Sequence, residues 1–491
     1  MVLTKFAELG PPIQQPVETQ SGLLKNCSVV AGRVRILDGR LTLCASSLDE
    51  KVKVNDATAS LKEQSNIAGN GSPGLLRGTP SNGGFRILGL VLSNDERFWR
   101  HFIYFAALLG FLRGVRLPNL WAATQAQLDY SFGFVRRGFF GEALSLLHIH
   151  HYVPFVLVSY GILAAFIAFL WRYTLCAHAS TANFIVASVF FSSLAFTYVV
   201  HLVGYLDIVL ECLLLGTLFL SNVHLRAIVA LPVAIAGTLI HEMFLVLCLP
   251  LLLLDLLLWK DSSRFNRKSS RLVPWLYGTL LTGVTLFVVL SIARHPSLTQ
   301  PQFAAYLNML SHKADFPIRG GVEILGRSIK ENSALTGMWM HSRDWRHNQI
   351  DGILEFGPCI AFYLYLGLRL VRNRFQKRSQ PILAAMFVIT ALSPLCLNLF
   401  GIDIYRWFAL ASLSSFVALS AISRYAGAVD IYEASSGVPP WLRNVAVVLI
   451  ALNLSSGSGL MDGYGVNTYP FMHLGRSVID AIHSRQIPQP K

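Results

Sequence analysis

The sequence predicts an all-α fold, a polytopic transmembrane helical bundle of about 11 spans. Three observations predict it. Apolar residues make up 53% of the 491 residues and charged residues only 14%, against about 25% charged in a soluble domain. From Arg97 onward, apolar runs of span length follow one another. The Lys and Arg residues between those runs sit mainly on alternate loops, as expected when positive loops stay in the cytoplasm.

Residues 1–95 differ from the rest. They are polar and rich in Ser, Gly, Asn and Lys, and Gly69 to Gly84 has the composition of a flexible linker. This segment reads as a disordered cytoplasmic extension, in which Arg33–Leu43 has the pattern of a short strand pair. The first 85 residues hold no apolar core, so no signal peptide is expected. The transmembrane domain is expected over 96–460. Its spans lie near 99–115, 152–171, 183–201, 205–221, 227–241, 243–259, 273–293, 353–371, 381–400, 407–423 and 442–460. The run 227–259 is too long for one helix and is interrupted by His241–Glu242, so it reads as two short helices meeting there. This choice puts 17 positive residues on short inside segments and five (Arg113, Arg116, Arg136, Arg137 and Arg406) on short outside ones. The predicted outer loops are 114–151, with amphipathic helices, and the long 294–352. Residues 461–491 form an extracytoplasmic tail. The N-terminus is expected in the cytoplasm.

The net charge of +14 would suggest a polyanionic partner in a soluble protein. Here orientation accounts for most of it, so no nucleic-acid partner is expected. The seven cysteines are scattered with no C-x-x-C pair. They imply neither a disulfide framework nor a metal site.

The unexpected polar residues gather on one predicted face. The first outer loop carries Asp129, Arg136, Arg137 and Glu142. The fourth span opens with Asp207, and Glu211 follows one turn later. His241–Glu242 marks the tip of a hairpin, Trp339 and Trp345 lie in the long loop, and Asp403 and Arg406 lie in the last outer turn. Ionisable groups at membrane depth are costly and suggest a functional site. Each also has a plainer reading. Asp129 can be solvated, and Arg136 and Arg137 can snorkel. His241–Glu242 can be a satisfied buried pair and Asp403–Arg406 a local salt bridge. Asp255 and Glu355 read as interfacial, and the tryptophans can be interface anchors. Asp207 and Glu211 share a helix face, where like charges repel, so a cation, an arginine or a shared proton must relieve them.

This layout resembles the GT-C superfamily of membrane glycosyltransferases. The resemblance rests on Asp129 in a first outer loop, on Gly204-Tyr-Leu-Asp207 opening a span, and on His241–Glu242 within an apolar hairpin ending in Leu-Pro250. It covers about residues 100–425. Many members carry two neighbouring acidic residues in the first loop, whereas Asp129 has none before Glu142. The resemblance implies transfer, with inversion, of a sugar from a polyprenyl-phosphate donor to a cell-envelope or secreted glycan acceptor, at the outer face of a bacterial inner membrane. It implies Asp129 as the base and Arg136, Arg137 and Arg406 as phosphate ligands. Asp207, His241, Glu242, Trp339, Trp345 and Asp403 would then contact substrate. The resemblance allows a divalent cation as cofactor, but nothing in the sequence supports one. An O-antigen or exopolysaccharide polymerase, a lipid-linked oligosaccharide flippase or transporter, and a non-catalytic envelope scaffold are the competing readings.

Overall fold

A computed structural model describes residues 95–175, 180–261, 272–295, 298–318, 322, 325, 329–399, 401, 403–426, 439–455, 460–461 and 464–465. All belong to the compact unit Thr79–Lys491. The predicted extension 1–95, but for its last residue, lies outside the described residues. So does the tail 461–491, but for 461, 464 and 465.

The described chain is helical apart from a two-residue hairpin, in which Leu460 pairs with Gly465 and Met461 with Tyr464. The helices, in order, are α1 (Glu96–Gly114), α2 (Leu120–Gln125), α3 (Gly138–Leu146), α4 (Tyr152–Leu175), α5 (Thr181–Phe191), α6 (Leu194–His201) and α7 (Leu206–Phe219). They continue with α8 (Val223–Ile240), α9 (Phe244–Leu247), α10 (Leu249–Asp261), α11 (Leu272–Arg294), α12 (Gln300–Lys313) and α13 (Ile329–Met340). The last are α14 (Arg343–Arg374), α15 (Gln380–Leu392), α16 (Ile404–Ala426) and α17 (Pro440–Ser455). Six stretches are long and apolar enough to cross a membrane: α4, α8, α11 from Val273, α14 from Trp345, α15 extended to Leu399, and α16. The bent pair α5 and α6 makes a seventh if it counts as one span. The chain is therefore a multi-pass membrane protein.

The 11 expected spans are thus shown only in part: those near 99–115, 205–221, 243–259 and 442–460 are helices but are not among these stretches, and three segments depart from straight spans. The segment near 183–201 bends by 58° between Phe191 and Leu194. The cause is Ser192–Ser193, whose hydroxyls donate to the carbonyls of Val189 and Phe190. Such side-chain bonds compete with the helical ladder, and the Ser193 oxygen then caps α6 by accepting from Phe196 N–H. The segment near 381–400 ends in a 3-10 turn over Ser393–Leu399. The segment expected to begin near 353 begins at Arg343, where Ser342 caps it. Its 32 residues extend about 48 Å, beyond the ~30 Å hydrocarbon layer. Part of the expected long loop is therefore helix.

Helix α16 is the axis of the bundle. It packs along α14 and α15 and against α6, and nearly all of it is buried. Small residues let its neighbours approach, as is usual between membrane helices. Phe190 of α5 stacks on Phe416, ring centres 4.5 Å apart. Helix α1 lies against α5 and α6. At Gly114 the approach is so close that a Cβ would sit 2.2 Å from the Thr197 carbonyl oxygen.

Two charged clusters mark the ends of α16. Arg406 holds Asp207 and Asp403 at its start. At its end, Tyr425 joins the pair Arg226–Asp255, which is bonded at 2.6 and 2.7 Å. The 19 positions between Arg406 and Tyr425 correspond to about 29 Å along the axis, close to the apolar thickness of a bilayer. This sharpens two readings of the sequence. Asp255, expected near a span end, is 3% exposed and serves as the counter-ion of Arg226. Arg226, counted toward orientation, is part of that buried pair. Arg113 and Arg116, counted as outer loop charges, are also buried and donate to the carbonyls of Asn453 and His201.

Candidate functional site

The polar end near Arg406 is assembled from four separate segments. The chain breaks after α8 because His241 is extended, with φ −160° and ψ 128°, and the helix resumes at Phe244. Gly237 makes room for this reversal, since a Cβ there would strike the Phe244 ring at 2.3 Å. The break points His241 and Glu242 toward the first loop. There Arg137, in the left-handed region with φ 65°, precedes α3. Its guanidinium grips the Glu242 carboxylate with both ends, Nη2 to Oε1 at 2.7 Å and Nε to Oε2 at 3.2 Å. Met243 N–H donates to His241 Nδ1 at 3.2 Å, which makes Nδ1 an acceptor and leaves Nε2 to carry the ring proton.

Asp207 reaches the same network from α7. Gly204, with φ +86°, turns the chain between α6 and α7 and lets Tyr205 and Asp207 face α16. Arg406 Nη2 lies 2.6 Å from Asp207 Oδ2 and Nη1 lies 2.9 Å from Asp403 Oδ2. The first contact is an ion pair by distance, although its angle falls outside hydrogen-bond geometry. The Arg406 guanidinium also sits 4.7 Å from the Trp407 ring centre and 5.3 Å from that of Tyr205. His241 Nδ1 lies 3.5 Å from Glu242 Oε2, and His241 is within electrostatic reach of Arg137, Asp207 and Arg406 as well, so the two ion pairs lie near one another. Of the means of relief expected for Asp207 and Glu211, an arginine is present on the Asp207 side. Glu211 is buried, and its Oε1 has no hydrogen-bond partner among the described residues.

Asp129 belongs to a second cluster. It is 2% exposed rather than solvated. Its Oδ2 accepts from Lys313 Nζ at 2.5 Å, and its Oδ1 accepts from the Ser131 hydroxyl and backbone N–H. Lys313 also donates to Ser145 Oγ at 2.9 Å. Burial opposes ionisation of Asp129, but the bonds from Lys313 and Ser131 outweigh it and hold the carboxyl below the usual carboxylate range. The Tyr306 hydroxyl fixes the backbone by accepting from Asp129 N–H and donating to its carbonyl. A small core of Leu128, Val135, Tyr306, Leu310, Val322 and Leu325 welds the first loop to α12.

Of the predicted residues, Arg137, Glu242, His241, Asp207, Arg406 and Asp403 are therefore brought together. Asp129 sits with Lys313. Arg136 is half-buried, with no hydrogen-bond or ion-pair partner among the described residues. Trp339 and Trp345 do not join the network by any hydrogen bond, and both pack against the main core. The Trp345 Nε1–H is buried with no partner among the described residues. The sequence reading missed Lys313, Tyr306 and Tyr205. A lysine at the end of an amphipathic loop helix was the one signal available for Lys313. No group of three His, Cys, Asp or Glu residues suited to a metal ion occurs among the described residues.

No family model, no curated protein and no solved structure matches the chain.

Proposed function

We propose that this protein is a membrane glycosyltransferase that moves a sugar from a polyprenyl-phosphate donor to a glycan or lipid-linked acceptor. In this reading it spans a bacterial inner membrane about 11 times, with its N-terminus in the cytoplasm and the Arg406 end outside. The observation that carries the proposal is the convergence of loop 114–151, the α6–α7 turn, the His241–Glu242 break and the start of α16 on one charged network at one end of the bundle. The same loop carries Asp129 and Arg136, and glycosyl transfer from a phosphate needs a base and positive charge for the leaving phosphate.

Asp129 is the proposed base. Lys313 keeps it ionised, as a base must be, and has to yield when the acceptor hydroxyl approaches. Arg136 is the first candidate for the donor phosphate, because its guanidinium is uncommitted and suits bidentate contact. Arg137 and Arg406 are already neutralised by Glu242 and by Asp207 with Asp403. Their role is to hold the site's shape and field, and a phosphate would have to displace a carboxylate to reach them.

A flippase or transporter is the second reading. It draws on the Arg226–Asp255–Tyr425 cluster, which places buried charge at the opposite end as well. Envelope glycans of a deletion strain, analysed by mass spectrometry, separate the two. Loss of one sugar supports transfer, and undecorated lipid-linked intermediates held inside support transport. Asp129→Asn, at normal protein levels, is expected to abolish transfer. Retained transfer removes Asp129 as the base.

A further inference from the structure

We propose that the recess between α1 and α4 holds one anionic phospholipid, with its phosphate on Arg172 and an acyl chain along α4. The site is independent of the transferase reading. Helix α1 rests on α5 and α6, while α4 rests on α7. Between α1 and α4 lies a lateral recess of about 940 Å³. This lies at the upper end of the ~300–1,000 Å³ that bound small molecules occupy. Its depth comes from Ala164 and Ala168, one turn apart on one face. Phe111 and Trp171 wall it. Tyr104 closes on Trp171 near the Arg172 end, ring centres 4.9 Å apart.

The dimensions suit one leaflet. From Tyr160 to Arg172 the recess runs about 18 Å along the helix, against ~15 Å for half the hydrocarbon thickness. The Tyr160 hydroxyl is committed to the Arg116 carbonyl at 2.7 Å, so the far end of the recess presents no free polar group from that residue. The Arg172 end is different. Its guanidinium stacks 4.8 Å from the Phe219 ring centre, and no carboxylate lies within ion-pair distance among the described residues. An exposed arginine beside an interfacial Trp, at the mouth of an apolar slot, matches a phosphodiester headgroup with a chain behind it. Arg172 lies about 30 Å along α4 from Tyr152, whose N–H is held by Asp315 at the other end. The Arg172 end is thus remote from the Tyr152 end of α4.

The test is native mass spectrometry of the full chain in detergent, titrated with phosphatidylglycerol or phosphatidylcholine. The expected result is one tightly retained phosphatidylglycerol, preferred about fivefold over phosphatidylcholine, the fold-change expected for one basic residue near an anionic surface. Arg172→Gln, a surface change, is expected to erase the preference. Ala168→Phe is expected to weaken both lipids by filling the slot, and Ala168→Leu gives a milder version should that variant not fold. Equal binding of the two lipids by the unaltered protein overturns the proposal, and so does a preference unchanged in Arg172→Gln. Lipid retention unchanged in a folded Ala168 variant overturns it as well.

Discussion

Arg406→Gln gives the sharpest test of the charged network, because the structure fixes what is lost. The guanidinium lies 2.6 Å from Asp207, whose side chain is 0% exposed, and 2.9 Å from Asp403, whose side chain is 26% exposed. Breaking a fully buried pair leaves an uncompensated charge and typically costs about 3–5 kcal/mol. The partly exposed Asp403 contact contributes less than about 1 kcal/mol. The stacking on Trp407 and Tyr205 contributes roughly another 0.5–2 kcal/mol. Arg406→Gln should therefore destabilise the bundle by about 4–8 kcal/mol. Adding Asp207→Asn removes the orphaned charge and should restore about half of that loss. The assay is unfolding in mixed micelles titrated with SDS, read by tryptophan fluorescence. A single-variant loss below about 1 kcal/mol, typical of a surface pair, or a double variant no more stable than Arg406→Gln, would refute the claim that Asp207 is buried as a charge held by Arg406.

Three further outcomes follow from the same geometry. Asp129 should link stability to acid: with its ionisation favoured in the folded state, its contribution is full at neutral pH and is lost as pH falls below about 3.8 through the depressed value. Lys313→Met removes the main support for that ionisation and should raise the midpoint of acid unfolding; an unchanged midpoint counts against the pair. Arg226→Gln should cost about 3–5 kcal/mol of stability yet leave any activity of the folded protein intact, since the pair lies about 29 Å from the Arg406 network; a folded but inactive variant would favour the transporter reading. Gly114→Leu forces α1 from α6, because the Cβ alone meets the Thr197 carbonyl oxygen at 2.2 Å, and should reduce the yield of folded protein in gel filtration while Gly161→Leu, with nothing within 4 Å of its Cβ position, should not.

The sequence by itself determined that this is a helical membrane protein and where its apolar helices fall. Hydropathy and helix-breaking residues are local properties, so the stop at Ile240 and the restart at Phe244 were legible from His241–Glu242. The charged residues of the candidate site were legible too, because charge is rare in such a chain and each instance stands out. Their partners were not. Arg137 meets Glu242 across 105 positions, Lys313 meets Asp129 across 184, and Arg226 meets Asp255 across 29. Which helix ends meet is decided by packing around α16 and by close approaches such as that at Gly114, and no local pattern encodes it. For the same reason Asp129 looked solvated in the sequence but is buried as half of an ion pair, as is Asp255 near its span end. A lone carboxylate is affordable only at the surface, and only the fold supplies the cation that lets it move inside.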